Sequence, residues 1–251
     1  PATLHNTPFK KEQRRLMLTG ERPPECKYCW DIEDSNENHI SDRIYKSAED
    51  WSFPYLKEAL DSGAKENVNP RYLELSFGNH CNLACAYCNP TKSSKILSEF
   101  KKYGPYKGGM SLESIEKNDL TPIPPNKHNP YIEAFWKWFP NIINDLKVLR
   151  ITGGEPLLDP NLNKLIDFIG HQEVTDLSFA INSNLCVPER VFNDFLEKIK
   201  KLKKKKSNLN FMLFVSIDTY GKQAEYIRHG LDYNQILKNI NTYLELKISP
   251  I

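Results

Sequence analysis

The stretch RYLELSFGNHCNLACAYCNP, from Arg71 to Pro90, decides how the chain is read. Its first seven residues alternate, so Leu73, Leu75 and Phe77 share one face and a strand is expected over Arg71 to Phe77. That strand runs directly into a loop carrying Cys81, Cys85 and Cys88, spaced by four and three residues. Thiols this close can fold back around one object, and cysteine thiolates are the protein ligands of iron–sulfur clusters. A structural zinc site is closed by four ligands; three cysteines are present locally, with His80 as the alternative fourth. A cluster with three protein thiolates leaves one iron open to a substrate or cofactor, as catalytic metal sites do.

Downstream of this loop the chain alternates between strand and helix patterns. Asn89 to Lys102 reads as a helix, Leu146 to Ile151 as a strand ended by Gly153-Gly154, and Asn161 to Ile169 as a helix with Leu162, Leu165, Ile166 and Ile169 on one stripe. Asp176 to Asn182 reads as a third strand, followed by a helix from Pro188 to about Lys201. NFMLFVSID, Asn210 to Asp218, reads as a fourth strand, apolar throughout and so expected to be buried on both faces. Asn234 to Leu246 reads as a helix, and KISPI would start a fifth strand. Repeated β-then-α units imply parallel strands joined by helical crossovers, in an open sheet or a barrel. The stretch from Tyr103 to Pro140 interrupts this rhythm; its aromatics Tyr131, Phe135, Trp136, Trp138 and Phe139 suit a helix packed by its aromatic face, or a substrate-contacting insertion.

Residues 1–68 are more polar and carry the second cysteine group, Cys26 and Cys29, in RPPECKYCWDIED. Ser47 is a candidate cap for a short helix there, with Pro54 breaking it. A boundary is therefore expected between residues 1–68 and 69–251. The 251 residues carry 34 basic and 32 acidic side chains, a formal charge of +2, which argues against a nucleic-acid protein working by bulk charge. The lysines from Lys198 to Lys206 read as a solvated helix end. The longest strong apolar run, Phe211 to Ile217, is far short of the roughly 18 residues of a membrane helix. The start lacks a hydrophobic stretch, and the cysteines are clustered rather than dispersed, so a reducing cytoplasm and no membrane are expected. Cys186 stands alone and reads as a small half-buried residue. The chain opens on Pro1 and stops at Ile251 in what looks like a new strand, so a fragment cut at both ends is expected.

CNLACAYC resembles the three-cysteine signature of the radical SAM superfamily, including Tyr87 before the last cysteine. GGEP, Gly153 to Pro156, after the second strand and SID, Ser216 to Asp218, at the end of the fourth extend the likeness in the same order. The resemblance covers about residue 70 to the end. It implies an α/β fold, a partial (βα) TIM-like barrel, preceded here by the small cysteine-containing N-terminal segment. It also implies a [4Fe–4S] cluster held by Cys81, Cys85 and Cys88, and S-adenosylmethionine on the open iron. Tyr87 would then lie against the adenine, as a flat amphipathic ring can. Gly153 and Gly154 would let the backbone approach the methionine end, Glu155 would accept from its ammonium, and Pro156 would fix the turn. Asn182, Ser183 or Asn184, with Ser216 and Asp218, would serve the ribose and carboxylate, and Arg228 the carboxylate. The implied activity is reductive cleavage of S-adenosylmethionine to a 5′-deoxyadenosyl radical that takes hydrogen from a substrate, with the cofactors carrying the hard chemistry. A flavodoxin- or ferredoxin-like electron donor is implied with it.

The CKYC segment resembles the cysteine-rich SPASM or twitch modules of some superfamily members, which hold auxiliary iron–sulfur clusters. On that likeness Cys26 and Cys29 are candidate ligands of an auxiliary cluster; a zinc half-site or a redox pair remain alternatives. Such relatives often modify peptides or proteins, which makes a peptide or protein the expected substrate. A non-catalytic iron–sulfur or zinc protein and an RNA- or sugar-modifying enzyme are the competing readings.

Overall fold

The computed structural model describes residues 2–36, 38–106, 122–124, 127–173 and 176–248. Two compact units are distinguished: Pro1–Tyr72 with Ala134–Lys147, and Leu73–Glu133 with Val148–Ile251.

The first unit is built from short helices: α1 (Ala2–His5), α2 (Pro8–Leu18), α3 (Lys27–Ser35), α4 (Asp42–Ser47) and α5 (Leu56–Ser62). Trp30 anchors it locally. Its indole nitrogen donates to the Pro23 carbonyl at 2.9 Å, and the guanidinium groups of Arg22 and Arg43 lie 5.2 and 4.2 Å from its ring, a cation–π arrangement. No helix starts at Ser47: it is the last residue of α4, donating to Ile44 O, and the cap of α4 is the buried Ser41, whose hydroxyl accepts from Ile44 N. The Pro54 turn then restarts the chain as α5, which ends on Gly63 in the left-handed region (φ 55°), where a residue without a Cβ fits best. Phe135 and Phe139 are buried, with ring centroids 4.8 Å apart, and Trp136 meets both edge-on. The aromatic segment thus serves packing, although Tyr131 stays exposed.

The second unit carries the sheet. Strands β1 (Tyr72–Ser76), β3 (Val148–Thr152), β4 (Ser178–Ser183) and β5 (Asn210–Val215) stand in that spatial order, and β3, β4 and β5 are parallel in register. Each new strand adds on the same side, which is the winding of a barrel wall rather than of a doubly wound sheet. Leu149 and Ile151, Phe179 and Ile181, and Phe211 and Leu213 form cross-strand rows on the buried face. The helices α6 (Ser94–Tyr103), α7 (Pro130–Trp138), α8 (Pro160–Ile169), α9 (Glu189–Lys205), α10 (Gly221–Ile227) and α11 (Tyr233–Glu245) follow the β-then-α order. Caps set their starts: Ser93, Asp159 and Asp232 accept from Ile96 N, Asn161 N and Gln235 N. Hence α6 begins five residues later than Asn89, whose own side chain instead accepts from Thr91 N and Lys92 N in a turn. Pro188 precedes α9 as its cap, and Lys203 at its end donates to the Ser207 and Leu209 carbonyls.

Strand β5 departs from expectation. It is not buried on both faces: Phe211 and Leu213 are buried, whereas Phe214 is 41% exposed. The reason is the pleat: Phe214 stands opposite Asn182 and 5.0 Å from Arg150, on the face opposite the row that Phe211 and Leu213 bury. KISPI ends on residues 249–251, which lie outside the described residues, as does most of the Gly- and Pro-rich stretch before α7. Among the described residues no helix is long and apolar enough to cross a membrane.

Candidate functional site

At the ends of the strands lies a cleft of about 270 Å³. The loop after β1 supplies Cys81, Leu83, Cys85, Tyr87 and Cys88; the ends of β3, β4 and β5 supply Thr152, Gly153, Gly154, Asn182, Asn184 and Ser216; Arg228 closes one side. Ten of the expected site residues therefore share one cavity. Among the described residues no fourth cysteine and no histidine lines it, and no three His, Cys, Asp or Glu side chains anywhere gather tightly enough to hold a single metal ion. Thiols spread around a cavity are the donor set a polynuclear cluster needs, and one coordination position is left without a protein ligand.

The cysteine loop is braced by side chains that do not carry the chemistry. Ser93 donates to Leu83 O, Cys81 N donates to the Ser94 hydroxyl, and Asn79 donates to Pro90 O. Asn82 ties the loop to the end of β4: its amide donates to Cys186 O at 2.6 Å and its carbonyl accepts from Asn184 Nδ2 at 3.1 Å. A two-residue ladder pairs β2 (Ala84–Cys85) antiparallel with β6 (Arg228–His229). Burial pushes the Cys81 thiol up to about 11 and raises that of Cys85 as well, with the Arg228 charge opposing the latter. Metal loading at such thiols releases protons.

Tyr87, Asp218 and Arg228 form one network. Tyr87 Oη donates to the Asp218 carboxylate at 3.0 Å, and Arg228 Nε donates to it at 2.6 Å. Burial and the bond to Asp218 push the Tyr87 phenol up to about 12. Burial works to raise the Asp218 carboxyl, but the bonds from Arg228 and Tyr87 outweigh it and hold the group below its ordinary value. Asp218 itself does not line the cleft; it holds two residues that do.

A model of the Radical SAM superfamily matches residues 75–250. The chain belongs to that superfamily. Among curated relatives, the "GTP 3′,8-cyclase" of Desulforamulus reducens is 28% identical over 190 residues, covering 74% of this chain and 46% of the relative. The protein of the same name from Syntrophomonas wolfei is 24% identical, with the same coverage. The chain spans about half the length of the curated relatives it matches. The crystal structure of Streptococcus suis SuiB bound to S-adenosylmethionine aligns with a TM-score of 0.45 and 15% identity, over 98% of this chain and 44% of that one. The radical SAM family implies a [4Fe–4S] cluster and S-adenosylmethionine, and three thiols around a cavity with no fourth protein ligand fit that pair.

One radical SAM motif residue takes a position the sequence did not indicate. Glu155 does not face the cleft. It is 1% exposed, and its carboxylate accepts from Leu157 N, the Ser183 hydroxyl and Asn184 N at 2.7–3.0 Å. With three donors already on it, it clamps the end of β3 to the end of β4. Gly153 and Gly154 do line the cleft, but their lack of a Cβ is required first by the chain itself. A Cβ on Gly154 would lie 2.3 Å from His80 O, and one on Gly153, at φ +118°, 2.5 Å from the Ser76 hydroxyl. The GGEP turn is laid against the loop that leads into Cys81, with Gly154 N and Glu155 N donating to Gly78 O and His80 O.

Burial pushes the Glu155 carboxyl up to about 7 from 4.5, against the pull of its three donors. The folded state thus holds this proton more tightly than the unfolded chain. The contribution is fully present below about pH 4.5 and is lost as pH rises through about 7, on the order of 3 kcal/mol at most. Glu155→Gln cannot ionise, so its melting temperature relative to wild type should improve as pH rises from 4.5 to 8. A difference that stays flat across that range sinks the assignment.

Sequence reasoning missed Asn82, Lys92, Thr152 and Arg150. Arg150 donates from Nε to Asn182 Oδ1 at 2.8 Å and lies 5.0 Å from the Phe214 ring. The alternation of Val148, Arg150 and Thr152 against Leu149 and Ile151 was the available signal for the face it occupies. For Asn82, whose partners lie about a hundred positions away, no local signal existed. Cys26 and Cys29 are half-buried in the first unit, at the N-cap and first turn of α3.

Proposed function

We propose that the chain carries the catalytic core of a radical SAM enzyme, with Cys81, Cys85 and Cys88 as cluster ligands. The observation that carries this reading is one cavity lined by three thiols, the glycine pair and the ends of three further strands. When bound, the cluster and S-adenosylmethionine supply reductive cleavage of the sulfonium and hydrogen abstraction from a substrate. The chain's own residues position and shield. Tyr87 offers a ring face to the adenine, with its hydroxyl tied to Asp218. Gly153 and Gly154 offer backbone approach without a Cβ. Asn182, Asn184 and Ser216 offer donors and acceptors for the ribose and carboxylate, Arg228 a charge beside them, and Glu155, Asp218 and Ser183 hold these groups in place from behind.

The SPASM- or twitch-like CKYC segment supports an auxiliary cluster on Cys26 and Cys29 and, with it, a peptide or protein substrate and a flavodoxin- or ferredoxin-like donor. A second reading, a nucleotide substrate, rests on the names of the curated relatives. The test is anaerobic reconstitution with iron and sulfide, reduction, and detection of 5′-deoxyadenosine after adding S-adenosylmethionine. Release of 5′-deoxyadenosine is expected. An intact, reducible cluster that yields none overturns the catalytic reading. Added peptides and GTP then separate the substrates by which one accelerates product release.

A further inference from the structure

The β2–β6 ladder puts Arg228 directly opposite Cys85, and Ala86 N donates to Ile227 O at 2.8 Å to lock the register. Arg228 is 8% exposed. Its Nε is held by Asp218 at 2.6 Å, and its guanidinium carbon lies 5.5 Å from the Tyr87 ring centroid. A different nitrogen of the fork, Nη1, stands 3.9 Å from Cys85 Sγ. A rigid, permanently charged, five-donor group is thus fixed by a carboxylate and a ring while one of its N–H groups is presented to a sulfur.

We propose that Arg228 is a positioning residue that acts through the Cys85 sulfur to set the reduction potential of the cluster. The proposal rests on the reading of Cys85 as a ligand. Net charge, hydrogen bonds to the sulfurs and burial are what set such potentials. Reduction adds one negative charge, so a cation held against a ligand sulfur stabilises the reduced form and raises the potential. Among the described residues that line the cleft, Lys92 is the other charged side chain besides Arg228, and Asp218 borders the network from outside it. Asp218 engages Nε and leaves Nη1 to the sulfur, so both contacts coexist on one guanidinium.

The experiment is a redox titration of the reconstituted protein, followed by electron paramagnetic resonance without S-adenosylmethionine, with iron counted in each sample. Arg228→Gln should keep its iron and lower the midpoint by about tenfold in the reduced-to-oxidised ratio, roughly 59 mV for one electron. Arg228→Lys, which keeps the charge, should recover most of that shift. An unchanged midpoint with full iron, and a loss only of S-adenosylmethionine affinity, overturns the proposal and makes Arg228 a cofactor-carboxylate ligand. If Arg228→Gln loses its cluster, pulsed resonance on reduced wild type grown with ¹⁵N-guanidino arginine decides: a ¹⁵N coupling is expected, and its absence overturns the proposal. A wild type that binds no cluster overturns the ligand reading instead, and this proposal with it.

Discussion

Cys81→Ala, Cys85→Ala and Cys88→Ala, each reconstituted anaerobically, should lose the cleft cluster while the protein stays folded. The loop that carries the thiols is held by Ser93, Ser94, Asn79, Asn82 and Asn184 through hydrogen bonds that use no sulfur, and the contact of Cys85 Sγ with Arg228 of β6 is a long one, at 3.9 Å. Each cysteine packs at the margin of a buried cluster, so replacing it with Ala takes away the ligand and one sulfur's worth of packing while the loop's hydrogen bonds remain. Two remaining thiolates, with no other cysteine or histidine lining the cleft, cannot replace the third. Iron and acid-labile sulfide should fall to background for this site, with the metal-free melting temperature close to that of wild type. Iron that persists in the triple variant and disappears on adding Cys26→Ala would belong to the first unit. Full iron retention in any single variant would sink the ligand assignment.

Gly154→Ala should be the most damaging substitution that leaves every ligand in place. The added carbon would lie 2.3 Å from His80 O and 2.6 Å from the Asn79 carbonyl carbon, both backbone atoms. Neither atom can swing away as a side chain would, so relief requires parting the GGEP turn from the loop. That loop runs directly into Cys81, and the parting would also stretch the Gly154 N–Gly78 O and Glu155 N–His80 O bonds. The cost should reach the top of the usual overpacking range, about 3 kcal/mol or more. For a chain of this size that corresponds to a melting temperature lower by about 6–12 °C, together with loss of S-adenosylmethionine binding. Gly170→Ala is the control. Its φ of −62° is ordinary, and its nearest neighbour would be Asp167 O at 3.4 Å, so little change is expected. A Gly154→Ala protein that melts and binds like wild type would refute the argument.

Much of the second unit was legible locally. Alternation marked β1 and the buried rows, an apolar stripe marked α8, Pro188 marked the start of α9, and the cysteine spacing with GGEP marked the cavity. What escaped was whatever depends on residues far apart in the chain. The strand expected to be buried on both faces was half-open because the register, not its own composition, set Phe214 beside Asn182 and Arg150 on the more open face. Glu155 read as facing a ligand because its type suits an ammonium, yet the end of β4 claims its carboxylate first.

By itself the sequence determined which residues gather at the cavity and in what order they meet the strand ends, because thiol spacing, glycine pairs and periodicity are written in adjacent positions. Only the tertiary structure decided what each one faces. A two-residue ladder sets Arg228 against a sulfur 143 positions away, and a hydrogen bond joins Tyr87 to an aspartate 131 positions away. Such pairings depend on where separate strands end in space, which neighbouring residues do not encode.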